Sequence, residues 1–178
     1  MRAVSLCAFV CLCSCSTAST PAASPDPQPA LRGPMQMLAF YVGDWSCTGK
    51  QFGTPDSKEE TWTARIEVRP EVGGGAVSVH MFGPASNLTA ELKGYDTAKK
   101  KWFHLWMDRE GAWGSFSSPG FDGARMISVN DDPATGGKER AVFSKLSETR
   151  YSHRVEVDEG NGFKPVWEKV CNKTGDGK

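Results

Sequence analysis

From residue 41 onward, the chain is a series of short runs in which apolar and polar residues alternate. Alternation with a period of two is the pattern of a strand with one buried face and one wet face. The breaks between the runs are rich in Gly, Pro, Asp and Asn and have the length of hairpin loops. Ten runs fit this description, at residues 41–50, 60–69, 76–83, 88–95, 101–108, 112–117, 124–129, 139–146, 150–158 and 163–171.

A succession of strands joined by short loops favours an up-and-down barrel, because sequential antiparallel strands close on themselves and leave no free edge. We therefore predict an all-β fold, an antiparallel up-and-down barrel of about ten strands. Residues 34–40 begin with Pro and fit a short helix, which we expect to cover one end of the barrel.

Three strands allow residues to be assigned to faces. In 61–69 the inner face holds Trp62, Ala64, Ile66 and Val68. In 150–158 the inner face holds Tyr151, His153, Val155 and Val157. In 101–108 one face holds Trp102, His104, Trp106 and Asp108, and the other holds Phe103, Leu105 and Met107. Because both faces of this third strand are largely apolar, we expect its wall to be covered outside as well as inside.

The N-terminal residues have the pattern of a targeting segment. Met1-Arg2 is a short basic start, and residues 3–12 form an apolar stretch too short to span a bilayer. The run Leu12-Cys13-Ser14-Cys15 resembles a bacterial lipobox, which implies lipidation of Cys15 and export. The location implied is the cell envelope, as a periplasmic or outer-membrane lipoprotein in a Gram-negative host. An ordinary signal peptide cut nearby is the alternative.

These observations divide the chain into four segments. Residues 1–15 are the predicted signal peptide with its lipobox, and residues 16–33 form a Ser/Thr/Ala/Pro-rich tether that we expect to be disordered. Residues 34–173 are the predicted barrel, and residues 174–178 a disordered tail.

Composition excludes several classes of function. The chain has 178 residues with 21 basic and 21 acidic side chains, so it lacks the basic excess of a nucleic-acid-binding protein. Because no apolar run of about 20 residues follows the N-terminal segment, we expect membrane contact only through the lipid anchor. Motifs for a serine nucleophile, a zinc protease, a phosphate loop or a dinucleotide are absent from the sequence, and we predict a non-catalytic protein without a cofactor. The oligomeric state stays open.

Several motifs resemble a bacterial lipocalin-like (calycin) family of unknown function, often carried on exported proteins. They are Gly43-x-Trp45, Gly73-Gly74, Gly94-Tyr95-Asp96 and Trp106-x-Asp108, over roughly residues 36–171. The resemblance implies a barrel with an internal cavity, in which Gly43 and Trp45 help to plug one end. In lipocalins an Arg near the last strand covers this Trp, and here Lys169 or Lys173 would have to replace it.

Cys47 and Cys171 are the only cysteines beyond residue 15, so one disulfide within the barrel is possible. In a closed barrel with an even number of strands, the first and last strands are antiparallel neighbours. If the two cysteines lie opposite each other, Trp45 faces Lys173 and Gly49 faces Lys169. Lys173 would then lie over Trp45 in a cation–π contact of about 0.5–2 kcal/mol. Two reduced cysteines are the alternative.

The three histidines lack the spacing of a metal site. His80, His104 and His153 are 24 and 49 residues apart on different strands, and we assign only His153 to the interior. A hydrogen-bonded core position is one interpretation of His153. A second interpretation is that His153 is an axial ligand of heme, by analogy with heme-binding barrels of the nitrobindin type, in which an inward His near the C-terminus has that role. The residues around His153 differ from that family's pattern.

Aromatic residues supply the remaining hypothesis about function. We predict that Trp62, Tyr151, His153 and Trp167 line a site for a small hydrophobic or amphipathic ligand, with Lys169 as a further polar group. One alternative is an interaction module in the envelope, with a barrel filled by its own side chains and a protein partner at its rim. A further alternative is an enzyme that uses His153 and a carboxylate.

Overall fold

The structure is a computed structural model that describes residues 29–53, 58–83, 89–132 and 138–177. The predicted signal peptide, Cys15 and residues 16–28 of the predicted tether lie outside the described residues. Within the described part of the chain, no helix has the length and apolar character needed to cross a membrane.

Strands dominate the described chain, and the N-terminal helix is a short 3-10 helix. That helix spans Gly33–Tyr41, and a single 3-10 turn spans Val72–Gly74. The strands are β1 Gly43–Gln51, β2 Glu60–Glu71, β3 Ala76–Phe82, β4 Thr89–Asp96, β5 Lys101–Asp108, β6 Trp113–Ser118, β7 Phe121–Asp122, β8 Arg125–Asn130, β9 Glu139–Ser147, β10 Arg150–Asp158 and β11 Phe163–Gly175.

The strands form one closed antiparallel barrel, as predicted. Their order in the sheet is β6-β5-β4-β3-β2-β1-β11-β10-β9-β8-β7, and pairing between β6 and β8 closes the ring. The two-residue strand β7 pairs only with β8, so ten strands make the wall. Each predicted strand agrees with an observed one to within two residues at each end, except that β11 continues to Gly175. The sequence pattern missed β7.

The C-terminal boundary of the barrel was predicted too early. Gly175 pairs with Asp44 of β1, so residues 174 and 175 belong to the wall and not to a tail. The tether boundary needs a similar correction. Leu31 is buried, and the backbone N–H of Arg32 donates to the carbonyl of Gly74 over 3.0 Å, so the residues just before the helix pack on the barrel.

One end of the barrel is filled by an aromatic plug, which we define as Tyr41, Trp45, Trp102, Phe143 and Tyr151. The 3-10 helix covers this end and buries Met35, Leu38, Phe40 and Tyr41. Rings of Trp45 and Tyr151 meet edge to face at 4.8 Å, and those of Tyr41 and Tyr151 at 5.0 Å. Edge-to-face packing adds to the stabilisation that burial of such large rings provides.

The disulfide and its register agree with the prediction. Cys47 and Cys171 are bonded and lie opposite each other on β1 and β11. The same register pairs Trp45 with Lys173 and Gly49 with Lys169. Lys173 Nζ lies 5.7 Å from the centre of the Trp45 ring, within cation–π range. Trp45 itself is fully buried, and its indole N–H donates to the Tyr41 carbonyl over 2.9 Å.

The outer face of β5 differs from the expectation. Leu105 is 41% exposed and Met107 is 55% exposed, and on β6 the neighbouring Trp113 is 71% exposed. None of the described elements covers these side chains, so the prediction of a covered wall was wrong for the single chain. The alternation had been interpreted correctly, because Trp102 and His104 of the opposite face are buried in the interior.

Candidate functional site

The end of the barrel opposite the plug holds a cavity of about 720 Å³. Three layers of inward residues lead to it, because successive inward positions on a strand are two residues apart. On β5 the layers are Trp102, His104 and Trp106; on β10 they are Tyr151, His153 and Val155; on β11 they are Cys171, Lys169 and Trp167. The first residue of each set belongs to the plug end, the second to a polar layer, and the third to the cavity wall.

Three tryptophans form much of the cavity wall, namely Trp62, Trp106 and Trp167. Two of them lie over glycines of the neighbouring strand. A Cβ at Gly49 would lie 2.1 Å from Cζ2 of Trp62, and a Cβ at Gly114 would lie 2.8 Å from Nε1 of Trp106. The missing side chains let both indoles lie flat along the wall. The lumen therefore stays open instead of being filled by these rings.

Five polar side chains form the base of the cavity, and we call them the polar floor: Glu91, Lys93, His104, His153 and Lys169. All five residues are at least nine-tenths buried. Glu91, His104, His153 and Lys169 line the cavity, whereas Lys93 lies beneath it. Buried charges are costly unless they are paired, so the arrangement of this floor needs a physical account.

The Glu91 carboxylate is the centre of the polar floor. Its Oε2 accepts a hydrogen bond from Lys93 Nζ over 2.6 Å and lies 3.1 Å from His104 Nε2. Its Oε1 lies 3.9 Å from Lys169 Nζ. Burial by itself raises the pKa of this carboxyl, but the charge of Lys93 and the contacts with His104 and Lys169 outweigh burial and hold the pKa well below its usual range. Glu91 is therefore an anion at neutral pH.

Both histidines of the floor are neutral at neutral pH. Burial lowers the pKa of His153 well below its usual range, and the nearby Lys169 lowers it further. Burial also lowers the pKa of His104, followed by the charge of Lys93, against the opposing influence of Glu91. His104 stacks on Phe116, and His153 meets the edge of Trp167 at a centre-to-centre distance of 5.0 Å.

Several polar side chains of the floor have incomplete hydrogen bonding among the described residues. His104 Nε2 lies 3.1 Å from Glu91 Oε2, but the geometry is not that of a good hydrogen bond. Lys169 has only the 3.9 Å ion pair with Glu91 and a contact of 5.5 Å with the ring of Trp167. His153 makes ring contacts but no hydrogen bond in this part of the chain. A hydrogen-bond-accepting group entering the cavity would satisfy them.

Three of the four predicted ligand-binding residues line the cavity, namely Trp62, His153 and Trp167. The fourth, Tyr151, does not line the cavity as predicted. Its side chain is fully buried in the aromatic plug, one layer nearer the plugged end than the polar floor. Burial raises the pKa of Tyr151 far above its usual range, so the phenol stays neutral. Gly43, Trp45 and Lys173 lie at the plugged end, where the resemblance placed them.

Sequence reasoning missed Glu91, Lys93 and His104. A charged pair on a strand is usually assigned to solvent, and the sequence alone assigned no inner face to this strand. The β4–β5 hairpin contained the missing signal. Its register pairs Lys93 with His104 and Glu91 with Trp106, so the inward face of β5 determines the inward face of β4. Among the described residues, no three His, Cys, Asp or Glu side chains are placed to hold a metal ion.

Comparison with known families and structures supports the fold. The model of a family described as "Protein of unknown function (DUF1579)" matches residues 32–117, a little under half of the chain. The comparison with curated proteins gave no match. The crystal structure of Rv2717c from M. tuberculosis is similar, with a TM-score of 0.61 and 10% sequence identity over 81% of this chain and 99% of that chain.

A second solved structure is more distant. It is a protein with unknown function from the DUF3598 family of Nostoc punctiforme PCC 73102, with a TM-score of 0.38 and 11% identity over 86% of this chain and 53% of that chain. The likeness to the mycobacterial protein concerns the fold alone. The closed ten-stranded barrel is consistent with a lipocalin-like fold, and the partial match over residues 32–117 is to a family of unknown function.

Proposed function

We propose that the protein binds a small amphipathic ligand in the barrel lumen. The observation that supports this best is the pairing of an open aromatic cavity with Lys169 and His153 at its base, which make no hydrogen bond among the described residues. The apolar part of the ligand would lie between Trp62, Trp106 and Trp167. Its hydrogen-bond-accepting end would reach Lys169 and His153.

The size and the lining of the cavity support a ligand over a self-filled barrel. A volume of about 720 Å³ falls within the range of small-molecule sites, which are mostly apolar with a few placed polar groups. A barrel that served only as a scaffold for rim contacts would have no need to keep such a space open. Nor would it need to keep Lys169 buried without a hydrogen-bond acceptor.

The charges of the polar floor determine which kind of polar group on the ligand is favoured there. Lys93 and Lys169 bring two positive charges against the one negative charge of Glu91, and both histidines are neutral. An acceptor-rich or anionic group is therefore favoured over a cationic one at this depth. Closer to the mouth, Glu60, Asp108 and Glu139 line the cavity and make the entrance acidic.

A fluorescent probe tests the proposal. The amphipathic anion 1-anilinonaphthalene-8-sulfonate should bind one site per chain, and Trp62→Leu and Trp167→Leu should each weaken it about tenfold, as expected from the loss of part of an aromatic contact surface. Trp113→Leu is the matched control, because this tryptophan is exposed on the outer wall. Equal affinity in all four proteins, or weaker binding only in Trp113→Leu, would contradict the proposal.

We propose in addition that the protein acts in the cell envelope, anchored through lipid on Cys15. The lipobox-like run at residues 12–15 supports this location. Metabolic labelling with a radioactive fatty acid tests it: the wild-type chain should be labelled, and Cys15→Ser should not. Label in both proteins, or in neither, would contradict the anchor.

A further inference from the structure

The amine of Lys169 is placed for a chemical role as well as for binding. Its side chain is 2% exposed, yet the residue lines the cavity. In the barrel wall it lies between His153 of β10 and Gly49 of β1. Because Gly49 has no side chain, the lumen beside Lys169 is bordered by the Trp62 ring and not by a neighbouring residue of β1.

Lys169 differs from the other buried lysine of the floor. Lys93 Nζ donates to Glu91 over 2.6 Å and does not line the cavity. Lys169 Nζ lies 3.9 Å from Glu91, too far for a hydrogen bond, and 5.5 Å from the centre of the Trp167 ring. One lysine thus neutralises the carboxylate, and the other faces the lumen beside an aromatic surface.

We propose that Lys169 captures aldehyde-bearing amphipathic ligands as a reversible imine. The inference rests on the proposed ligand-binding function and adds a chemical class for the polar end of the ligand. The free-amine form of a buried lysine is a nucleophile toward carbonyl groups. Lys169 opens onto the cavity beside Trp167, and the aromatic wall supplies the surface for the remainder of the molecule.

The step balances without a further reactant. The ammonium group of Lys169 first gives up one proton to solvent. The lone pair of Nζ then attacks the carbonyl carbon, so that a C–N bond forms as the π bond of the carbonyl opens. The carbonyl oxygen then leaves as water with the two protons of the amine, and the C=N bond of the imine remains. A proton from solvent converts the imine to its cationic form, and water reverses the whole sequence.

The surroundings of Lys169 favour both stages. Burial lowers the pKa of its ammonium group, although Glu91 opposes this, so more of the free amine is present than on an exposed lysine. After condensation, the Glu91 carboxylate is the anion nearest to the new cation. The neutral His153, directly opposite on β10, is placed to relay protons to the departing oxygen.

Reductive trapping with a simple aldehyde tests the inference. The purified protein is incubated with decanal and sodium cyanoborohydride, and intact mass and peptide mapping locate any decyl group. We expect one adduct per chain, on Lys169, formed before exposed lysines such as Lys99 are modified. Lys169→Arg should lose this adduct, whereas Lys99→Arg should keep it.

Decan-1-ol separates this inference from the proposed function, because it has the same chain and cannot form an imine. One result would overturn the imine and leave ligand binding in place: decanol displaces the bound dye, but decanal with cyanoborohydride leaves no decyl group on Lys169 of the wild-type protein. Equal dye affinity in the wild type, Trp62→Leu and Trp113→Leu, together with no decyl group on Lys169 after treatment with decanal, would overturn both. Mapping the wild-type chain keeps the test valid even if Lys169→Arg folds poorly.

Discussion

Lys93 and Glu91 lie two residues apart on β4, and both side chains point into the barrel, where Lys93 Nζ donates to Glu91 Oε2 over 2.6 Å. This contact makes a charged interior possible, because it neutralises a carboxylate that also faces His104 and Lys169. Lys93 thus stabilises the polar floor from the side away from the cavity, and the other four residues of the floor line the cavity.

Glu91→Gln should destabilise the protein strongly. The substitution leaves Lys93 and Lys169 buried without a counter-charge, and breaking a buried ion pair in this way costs about 3–5 kcal/mol. Urea unfolding followed by tryptophan fluorescence measures the loss. Glu148→Gln is the control, because this carboxylate is 76% exposed in its pair with Lys145 and should matter by less than about 1 kcal/mol. Similar losses in both variants would contradict the central position of Glu91.

The free energy of unfolding should fall as the pH drops below neutral. Burial gives His104 and His153 lower pKa values in the folded protein than in the unfolded chain. Unfolding therefore takes up protons once the pH is below the unfolded pKa of about 6.5. This loss continues until the folded pKa of each histidine is reached, with a slope of up to about 1.4 kcal/mol per pH unit for each. The stabilisation from Glu91 is lost only at lower pH, below about 4.3, as the pH falls through its depressed folded pKa.

Histidine variants test which side chains cause this pH dependence of the unfolding free energy. His104→Gln and His153→Gln should each flatten the dependence of the unfolding free energy on pH between pH 7 and pH 5.5. His80→Gln should not, because this side chain is exposed on the outer face. An unchanged slope in both interior variants would mean that the histidines are not buried as described.

Gly49→Val should disturb the cavity wall. A Cβ at this position would lie 2.1 Å from the Trp62 ring, so the indole must leave the wall. We expect dye affinity to fall about tenfold, as for loss of an aromatic contact, together with a change in the near-ultraviolet circular dichroism. Ser46→Ala, on the exposed face of the same strand, should change neither quantity. Unaltered binding by Gly49→Val would remove Trp62 from the site.

Cys47 and Cys171 should be recovered as one linked peptide after digestion without reduction. They are 124 residues apart, and the chain-entropy model gives a stabilisation of at most about 5 kcal/mol for a loop of this length. The double variant Cys47→Ala/Cys171→Ala should therefore unfold at a clearly lower urea concentration. Recovery of the two cysteines in separate peptides would contradict the closure of the barrel by this bond.

The fold followed from the sequence because its signals are local. Alternation and turn residues determine where strands lie, and cysteine pairing determined the register of β1 with β11. β7 was missed because two residues carry no periodicity. Residues 174 and 175 were assigned to a tail because their place in the wall depends on pairing with β1 and not on their own character.

The site was only partly predictable, because its chemistry depends on pairing between strands. Trp62, His153 and Trp167 were found from alternation and aromatic character. Glu91 and Lys93 were missed, since charged side chains on a strand are usually solvated and only the hairpin register turns them inward. Tyr151 was placed correctly in the interior, but alternation gives no depth along the barrel axis and so could not separate plug from cavity.

A crystal structure of the protein with decanoate tests the central claim most directly, because it locates both ends of a ligand. We predict that the alkyl chain lies in the lumen between Trp62, Trp106 and Trp167, with the carboxylate within hydrogen-bond distance of Lys169 Nζ. A lumen that holds only ordered water, while decanoate lies on the outer wall near Met107 and Trp113, would contradict it.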